Sequence, residues 1–255
     1  MNITFDHLVL LVHDLDAAVA DFESLGFTVL ERADTSHGST RFRFISFADG
    51  SYILLTAFAG ADARKGHRLG SVLDAGEGWA DYSFVVPSAG RAGEALKAMG
   101  FPAGGPVKVS NVLAGGEAWS LDLLMTGRGA EGDVALPFLV SDNEVRRHRI
   151  PGPSRHANGA IGIAGITVST ADPKTVADTL AAAGGEKAAG AAKGTRVRFA
   201  DVWVDVVPLA EAGNGRPGGG MVDVTVISEA AGLPAGGRLL DIGKAHGAPI
   251  LLRGA

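Results

Sequence analysis

The sequence predicts an α+β fold assembled from repeated β-α-β-β-β units, and three observations predict it. Branched apolar runs of strand length alternate with single helical periods, and the order strand, helix, strands recurs along the chain. Three helical segments close on similar tetrapeptides, SLGF (Ser24 to Phe27), AMGF (Ala98 to Phe101) and AAGG (Ala182 to Gly185), each just before a strand-like run. The 255 residues are 46% hydrophobic and 20% charged, a balance that supports a sizeable core.

Ile3 to Val12 is apolar on both faces, as in a strand buried on two sides. Asp14 and Asp16 then offer helix-start chemistry, Leu15, Val19, Phe22 and Leu25 share one helical face, and Gly26 supplies the stop. Phe27 to Arg32, Thr40 to Phe47 and Ser51 to Phe58 read as three strands, the last two joined by the turn Ala48, Asp49, Gly50. A second unit runs from a strand at Tyr82 to Val86 through a helix from Gly90 to Met99. Its strands follow at Val107 to Val112, Ala118 to Met125 and Val134 to Val140. The third has a strand at Ala160 to Ser169, a helix opened by Asp172 and Pro173, and strands at Arg196 to Phe199 and Val202 to Val207. Beyond Pro208, a glycine-rich loop leads to a strand at Val222 to Ile227 and a short helix, a truncated fourth unit. The segment from Asp142 to Asn158 holds four arginines, two histidines and two prolines without apolar period, and reads as a connector. The expected organisation is a two-unit domain over 1–141, a connector over 142–158, and the third and truncated fourth units over 159–255.

Composition narrows the function. The net charge is −5 and the 23 basic residues are scattered, so neither a nucleic-acid stripe nor an anionic-membrane patch is expected, which leaves small-molecule or protein partners, a small-molecule ligand or substrate first. A homodimer is the default assembly. With no cysteine, any metal must rely on His, Asp or Glu. The amino terminus lacks the features of a secretory signal, and no run approaches the roughly 20 apolar residues of a membrane helix, so a cytoplasmic protein is expected. Gly213, Gly215 and Gly218 satisfy G-x-G-x-x-G literally, but no helix start follows to receive a pyrophosphate.

The string DHLVLLVHDLDAAVADFESLGF (Asp6 to Phe27) resembles the opening of vicinal oxygen chelate proteins, where a His on the first strand precedes an Asp-started helix ending in Leu-Gly-Phe. HGSTRFRFISFADGSYILL (His37 to Leu55), LPFLV (Leu136 to Val140) and RHANGA (Arg155 to Ala160) are similar to its bacterial glyoxalase-like branch. This resemblance covers residues 3 to about 170. It implies curved mixed sheets around a cavity, with a divalent metal held by the first and fourth strands of each unit. His7 occupies the first ligand position. Leu54 stands where the resemblance implies a glutamate, Tyr82 stands opposite His7, and the remaining position falls near Phe138. In the third unit Gly165 aligns with His7 and Asp205 with Leu54. A catalytic metal usually has three protein ligands, so no cofactor is expected. Should a divalent metal bind, His7 with Asp205, His37 or His156 is the donor set that remains.

Alternation sends His7, Val9 and Leu11 to one face, which the resemblance places toward the cavity. His7 is therefore the candidate general base, since imidazole titrates near neutrality. Arg41 and Arg43 share a strand face and are candidates to hold a carboxylate or phosphate. Tyr52, Leu54, Tyr82 and Phe138 are candidate cavity walls, and His37 and His156 candidate substrate contacts from a loop and the connector. The expected function is glyoxalase-like lyase or isomerase chemistry on a small oxygenated, anionic metabolite, without a metal. The alternatives are a non-catalytic binding or resistance protein, and a metal-dependent glyoxalase or dioxygenase with noncanonical ligands.

Overall fold

The apolar alternation builds two seven-stranded mixed sheets in a computed structural model that describes residues 3–36, 38–189, 194–213 and 215–255. The first contains β1 (Thr4–Leu11), β2 (Thr40–Ser46), β3 (Tyr52–Phe58), β4 (Gly78–Val85), β5 (Gly104–Val112), β6 (Ala118–Met125) and β7 (Phe138–Asp142). Their order across the sheet is β2-β3-β1-β4-β7-β6-β5. The second contains β8 (Ala160–Thr170), β9 (Glu186–Ala188), β10 (Thr195–Arg198), β11 (Trp203–Pro208), β12 (Gly220–Ser228), β13 (Arg238–Leu239) and β14 (Ile250–Gly254), ordered β13-β14-β12-β8-β11-β10-β9.

Both sheets follow one plan. The opening strands of two units lie side by side and antiparallel, β1 with β4 and β8 with β12. Within each unit the opening strand pairs parallel with the last, β1 with β3, β4 with β7, β8 with β11 and β12 with β14. Parallel pairing demands a crossover, and three of the four contain a helix, α1 (Leu15–Ser24), α2 (Ala89–Ala98) and α3 (Pro173–Ala182), while the β12–β14 crossover runs through turns and β13. Asp14 caps α1 through the N–H groups of Asp16 and Ala17, Ser88 caps α2, and Asp172 caps α3 with Pro173 in its first turn. At the end of α1, Gly26 has φ +87°, and a Cβ there would lie 3.0 Å from the backbone N of Asn158.

α1 packs on β2 and β3, α2 on β5 to β7 and α3 on β8 to β11, while β4 and β12 bring the two sheets into direct contact. Leu8 and Leu10 of β1, Phe84 of β4, Phe22 of α1, Leu96 of α2, Leu180 of α3, Val168 of β8 and Val224 of β12 belong to one buried cluster, so the sheets share a core. Each fully buried side chain of this size contributes roughly 1.5–3 kcal/mol. No helix among the described residues is long and apolar enough to cross a membrane.

Three expectations are corrected. Phe27 to Arg32 forms no strand beyond a bridge between Leu30 and Phe44, and the Thr28 N–H that a ladder would use goes to the connector instead. The Thr28 N–H donates to His156 Nδ1 at 3.0 Å and the Thr28 hydroxyl to the Arg155 carbonyl at 2.7 Å. The last strand of the second unit starts at Phe138 rather than Val134, since the Leu136 N–H closes a turn on the Asp133 carbonyl and Pro137 has no N–H. After β12 the chain makes turns and the short strands β13 and β14 instead of a short α-helix.

Candidate functional site

The first sheet curls around a cavity of about 270 Å³, which side chains from both its edge strands line, Phe42 on β2 and Val109 on β5. Period-two alternation decides which residues enter: Val9 from β1, Leu54 and Thr56 from β3, Leu121 and Leu123 from β6, Phe138 and Val140 from β7. The loop between β3 and β4 covers it. Leu69, Val72 and Leu73 of that loop pack against Val9 and Leu11, and Arg216 holds it from outside by donating to the Val72 carbonyl at 2.7 Å.

His7 enters the cavity through an irregularity in β1. Pairing with β4 is regular at Phe5 with Phe84 and resumes at His7 with Ser83, so Asp6 is an extra residue, a β-bulge. Phe5 and Leu8 both join the shared core, which leaves the two intervening side chains on the cavity side. Asp6 Oδ2 thereby lies 2.8 Å from His7 Nδ1. The imidazole stacks on Tyr52, ring centroids 4.6 Å apart at 12°, and meets Phe138 edge-on at 5.3 Å.

Arg149 organises the dyad from behind. It donates to the Tyr52 hydroxyl at 2.8 Å and to Asp6 Oδ2 at 3.2 Å, while Asp142 holds its Nε at 2.6 Å and Nη2 at 3.0 Å. Arg146 forms a second ion pair with Asp6. Burial alone would raise the Asp6 carboxyl, but Arg149, the His7 hydrogen bond and Arg146 outweigh it and hold the group far below the usual carboxylate range. Asp6 is therefore ionised, so His7 Nδ1 carries the proton and donates it. Burial lowers His7 below the ordinary imidazole value, and the two guanidiniums add to that against the Asp6 contact. At neutral pH the ring is uncharged, and its Nε2 presents a lone pair with no acceptor or donor among the described residues. Burial, then the charge of Asp6, raises the Tyr52 phenol, which stays protonated.

Two further arginines line the cavity. Arg32 is clamped by Asp34, Nε at 2.9 and 3.0 Å and Nη2 at 2.9 Å, and its guanidinium lies 4.4 Å from the Trp119 ring centroid and about equally between Phe42 and Phe44. Arg68 pairs with Asp81 through Nη1 and lies over Phe138, 4.7 Å from its centroid. Each cationic side chain thus has a carboxylate partner.

The structure brings His7, Tyr52, Leu54 and Phe138 together as cavity walls. It separates the others. Arg41 and Arg43 sit on the opposite face of β2 from the lining residues Phe42 and Phe44, and Arg43 pairs with Glu31 at 3.0 Å. Tyr82 is paired with Leu8 rather than His7, because the bulge shifts the register. Its hydroxyl donates to the Ala135 carbonyl at 2.8 Å inside the shared core. His156 is used as a structural link between Thr28 and the Ser46 carbonyl, edge-on to Phe47, and does not line the cavity; burial keeps it below the ordinary imidazole value despite its bond to Ser46. Asp205 belongs to the second sheet, where it grips Arg196 at 2.7 and 2.6 Å. His37 lies outside the described residues.

Asp6, Arg149, Arg32, Arg68 and His67, all at the site, carried no periodic signal. The one available sign was four arginines in a segment read as a connector. In the second sheet the position of His7 is Gly165, register partner of Trp203 as His7 is of Tyr52. A Cβ on Gly165 would fall 2.1 Å from the Trp203 indole, so that side chain fills the equivalent space.

The residues present do not fit a divalent metal. Leu54 and Phe138 have no ligating atom, and the carboxylate nearest His7 is engaged by two guanidiniums and by His7 itself. Among the described residues no group of three His, Cys, Asp or Glu could hold such an ion.

Comparisons with known proteins agree on the fold. A hypothetical protein from Staphylococcus aureus superposes with TM-score 0.76 at 12% identity, covering 100% of both chains. A triple mutant of 4-hydroxymandelate synthase from Streptomyces coelicolor gives 0.58 at 14% identity, over 89% of this chain and 71% of that one. The Mn(II)-bound glyoxalase from Novosphingobium aromaticivorans gives 0.58 at 10% identity, over 98% and 81%. No curated protein matches the sequence. A family model described as the glyoxalase-like domain matches residues 5–184, more than half of the chain, and the protein therefore belongs to that family, on a vicinal oxygen chelate fold.

Proposed function

We propose that this glyoxalase-like protein is an isomerase or lyase that removes a proton from carbon beside a carbonyl in a small oxygenated metabolite. One observation carries the reading: Asp6 accepts the Nδ1–H of His7, so the Nε2 lone pair faces a mostly apolar cavity. A neutral, desolvated imidazole with its far nitrogen anchored is a general base at neutral pH. Arg68 lies over the Phe138 ring that His7 also meets, and with Arg149 beside Tyr52 it takes the charge-stabilising role expected of Arg41 and Arg43. Because every lining guanidinium is already paired, the cavity suits charge that appears during the reaction, and any carboxylate on the substrate would meet Arg68. The engagement of Asp6 by His7 and two guanidiniums supports chemistry without a metal.

The test is deuterium exchange at the acidic carbon of 2-hydroxycarbonyl and 2-oxo compounds in D₂O, followed by NMR. The wild type is expected to exchange at least one of them about 100-fold faster than His7→Ala. Equal rates would remove His7 as the base. A second reading, a binding protein without chemistry, is favoured by the aromatic and aliphatic walls. It predicts tight ligands recovered without exchange from both proteins.

A further inference from the structure

His67, in the loop that covers the cavity, is a second imidazole on its wall, and the reading above does not use it. Its Nδ1 accepts the backbone N–H of Leu69 at 3.1 Å, so in the neutral ring the proton sits on Nε2. Burial, with the neighbouring Arg68 charge, pushes this imidazole below its ordinary value and keeps it neutral. No described residue accepts from Nε2. The cavity is thus walled by two neutral imidazoles held in opposite tautomers, His7 offering a lone pair and His67 an N–H.

They contact opposite ends of β3. His7 pairs with Tyr52 at the start of β3, whereas the His67 ring lies edge-on to Phe58 at its end, centroids 5.2 Å apart. Both rings reach in from these contacts, which fall on the first and last residues of the seven-residue strand. The apolar part of the wall includes Val9, Leu54, Leu69, Leu121, Leu123 and Phe138. A volume of about 270 Å³ is also close to the lower bound of ordinary ligand cavities, more than a three-carbon compound needs.

We propose that the substrate is elongated, with its reactive carbonyl at the His7 end, an apolar middle, and a hydrogen-bond-accepting oxygen at the far end that takes the His67 Nε2–H. At the near end the C–H bond breaks, its electron pair becomes the C=C of an enolate, and the proton goes to His7 Nε2. The C=O π pair moves onto oxygen as the enolate forms, and return of the proton to the same carbon, on either face, restores the C=O and closes the cycle without a co-reactant. His67 sets specificity and leaves the proton transfer to His7, so the proposal rests on the base reading for its chemistry alone.

The probes are 4-phenylbutan-2-one and 4-(4-methoxyphenyl)butan-2-one, which share a ketone and an apolar middle and differ in the distal ether oxygen. Wild type is expected to bind the methoxy compound about 3- to 10-fold more tightly, the worth of one neutral hydrogen bond. His67→Phe should erase the preference, and His67→Gln, whose amide N–H reaches a similar place, should restore part of it. ¹⁵N-histidine spectra should show His67 protonated on Nε2. Equal binding of the two probes by wild type, a preference that survives in His67→Phe, no binding of either, or a proton on His67 Nδ1 would each overturn the proposal. A preference without exchange in D₂O would uphold it while removing the base assignment.

Discussion

Asp6 and His7 are consecutive residues of β1, yet their side chains meet on the same side of the sheet, Oδ2 to Nδ1 at 2.8 Å, because the bulge opposite Phe84 and Ser83 cancels the usual alternation. That contact sets the tautomer of His7, and Arg149 and Arg146 keep its carboxylate charged. Asp6 acts as a positioning residue.

Asp6→Asn tests it. The amide removes one of the two carboxylates that face the buried Arg149, Asp142 remaining, and takes the negative charge of Asp6 from between two guanidiniums, which should cost about 3 kcal/mol of unfolding free energy in urea. It also frees His7 to adopt either tautomer, so carbon-proton exchange should fall by about 100-fold. His7 Nδ1 should lose its fixed proton in ¹⁵N spectra. A variant of wild-type stability with the original tautomer would show that the contact does not govern the ring.

The pH profile has a definite sign. His7 accepts a proton only when neutral, and burial places its transition below the ordinary value of 6.5, so activity should rise with pH to a midpoint below 6.5 and stay level through neutrality. Stability moves the same way. The unfolded chain binds a proton at His7 before the folded one does, so stability drops as pH falls below 6.5. Asp6, depressed in the fold, adds a further loss as pH falls below the unfolded value near 4. Urea unfolding across this range in wild type and Asp6→Asn separates the two, because the second loss should vanish in the variant.

Much of the fold was legible because local chemistry and long-range packing agree there. Asp14 and Gly26 bracket α1, and His7, Val9 and Leu11 share a face in both sequence and structure. The site was legible only where alternation held, at Tyr52, Leu54 and Phe138. Asp6 was hidden because a bulge is decided by the partner strand, and the same shift moved Tyr82 into the core. For Arg41 and Arg43 the period was right and the face wrong, since only the curl of the whole sheet decides which side is concave. Arg149 reaches Asp6 from a segment with no period at all, tied by bonds spanning 143 residues.

Chelation should change nothing. With Leu54 and Phe138 at two of the expected ligand positions and Asp6 saturated by cations, dialysis against EDTA is expected to leave exchange rate and melting temperature within error of untreated protein. Restoration of lost activity by added Mn²⁺ or Zn²⁺ would contradict the metal-independent reading. Elemental analysis of protein purified without chelator supplies the second measurement.

The second sheet offers a prediction independent of catalysis. Trp203 holds the register position of Tyr52, its indole covers Gly165, and Arg196 lies 4.7 Å from its ring centroid while bound by Asp205. A methyl at Gly165 has no room beneath the indole, so Gly165→Ala should destabilise by about 1–3 kcal/mol. Trp203→Ala removes a half-buried ring and should cost about 2 kcal/mol, below the range for fully buried tryptophan. In the double variant the added methyl occupies part of the space the indole leaves, so the combined loss should be smaller than the sum by about 1 kcal/mol or more. Urea unfolding of the four proteins completes the cycle. Strict additivity would mean that the two side chains do not compete for that space, and the second sheet would then owe its filled hollow to something other than this pair.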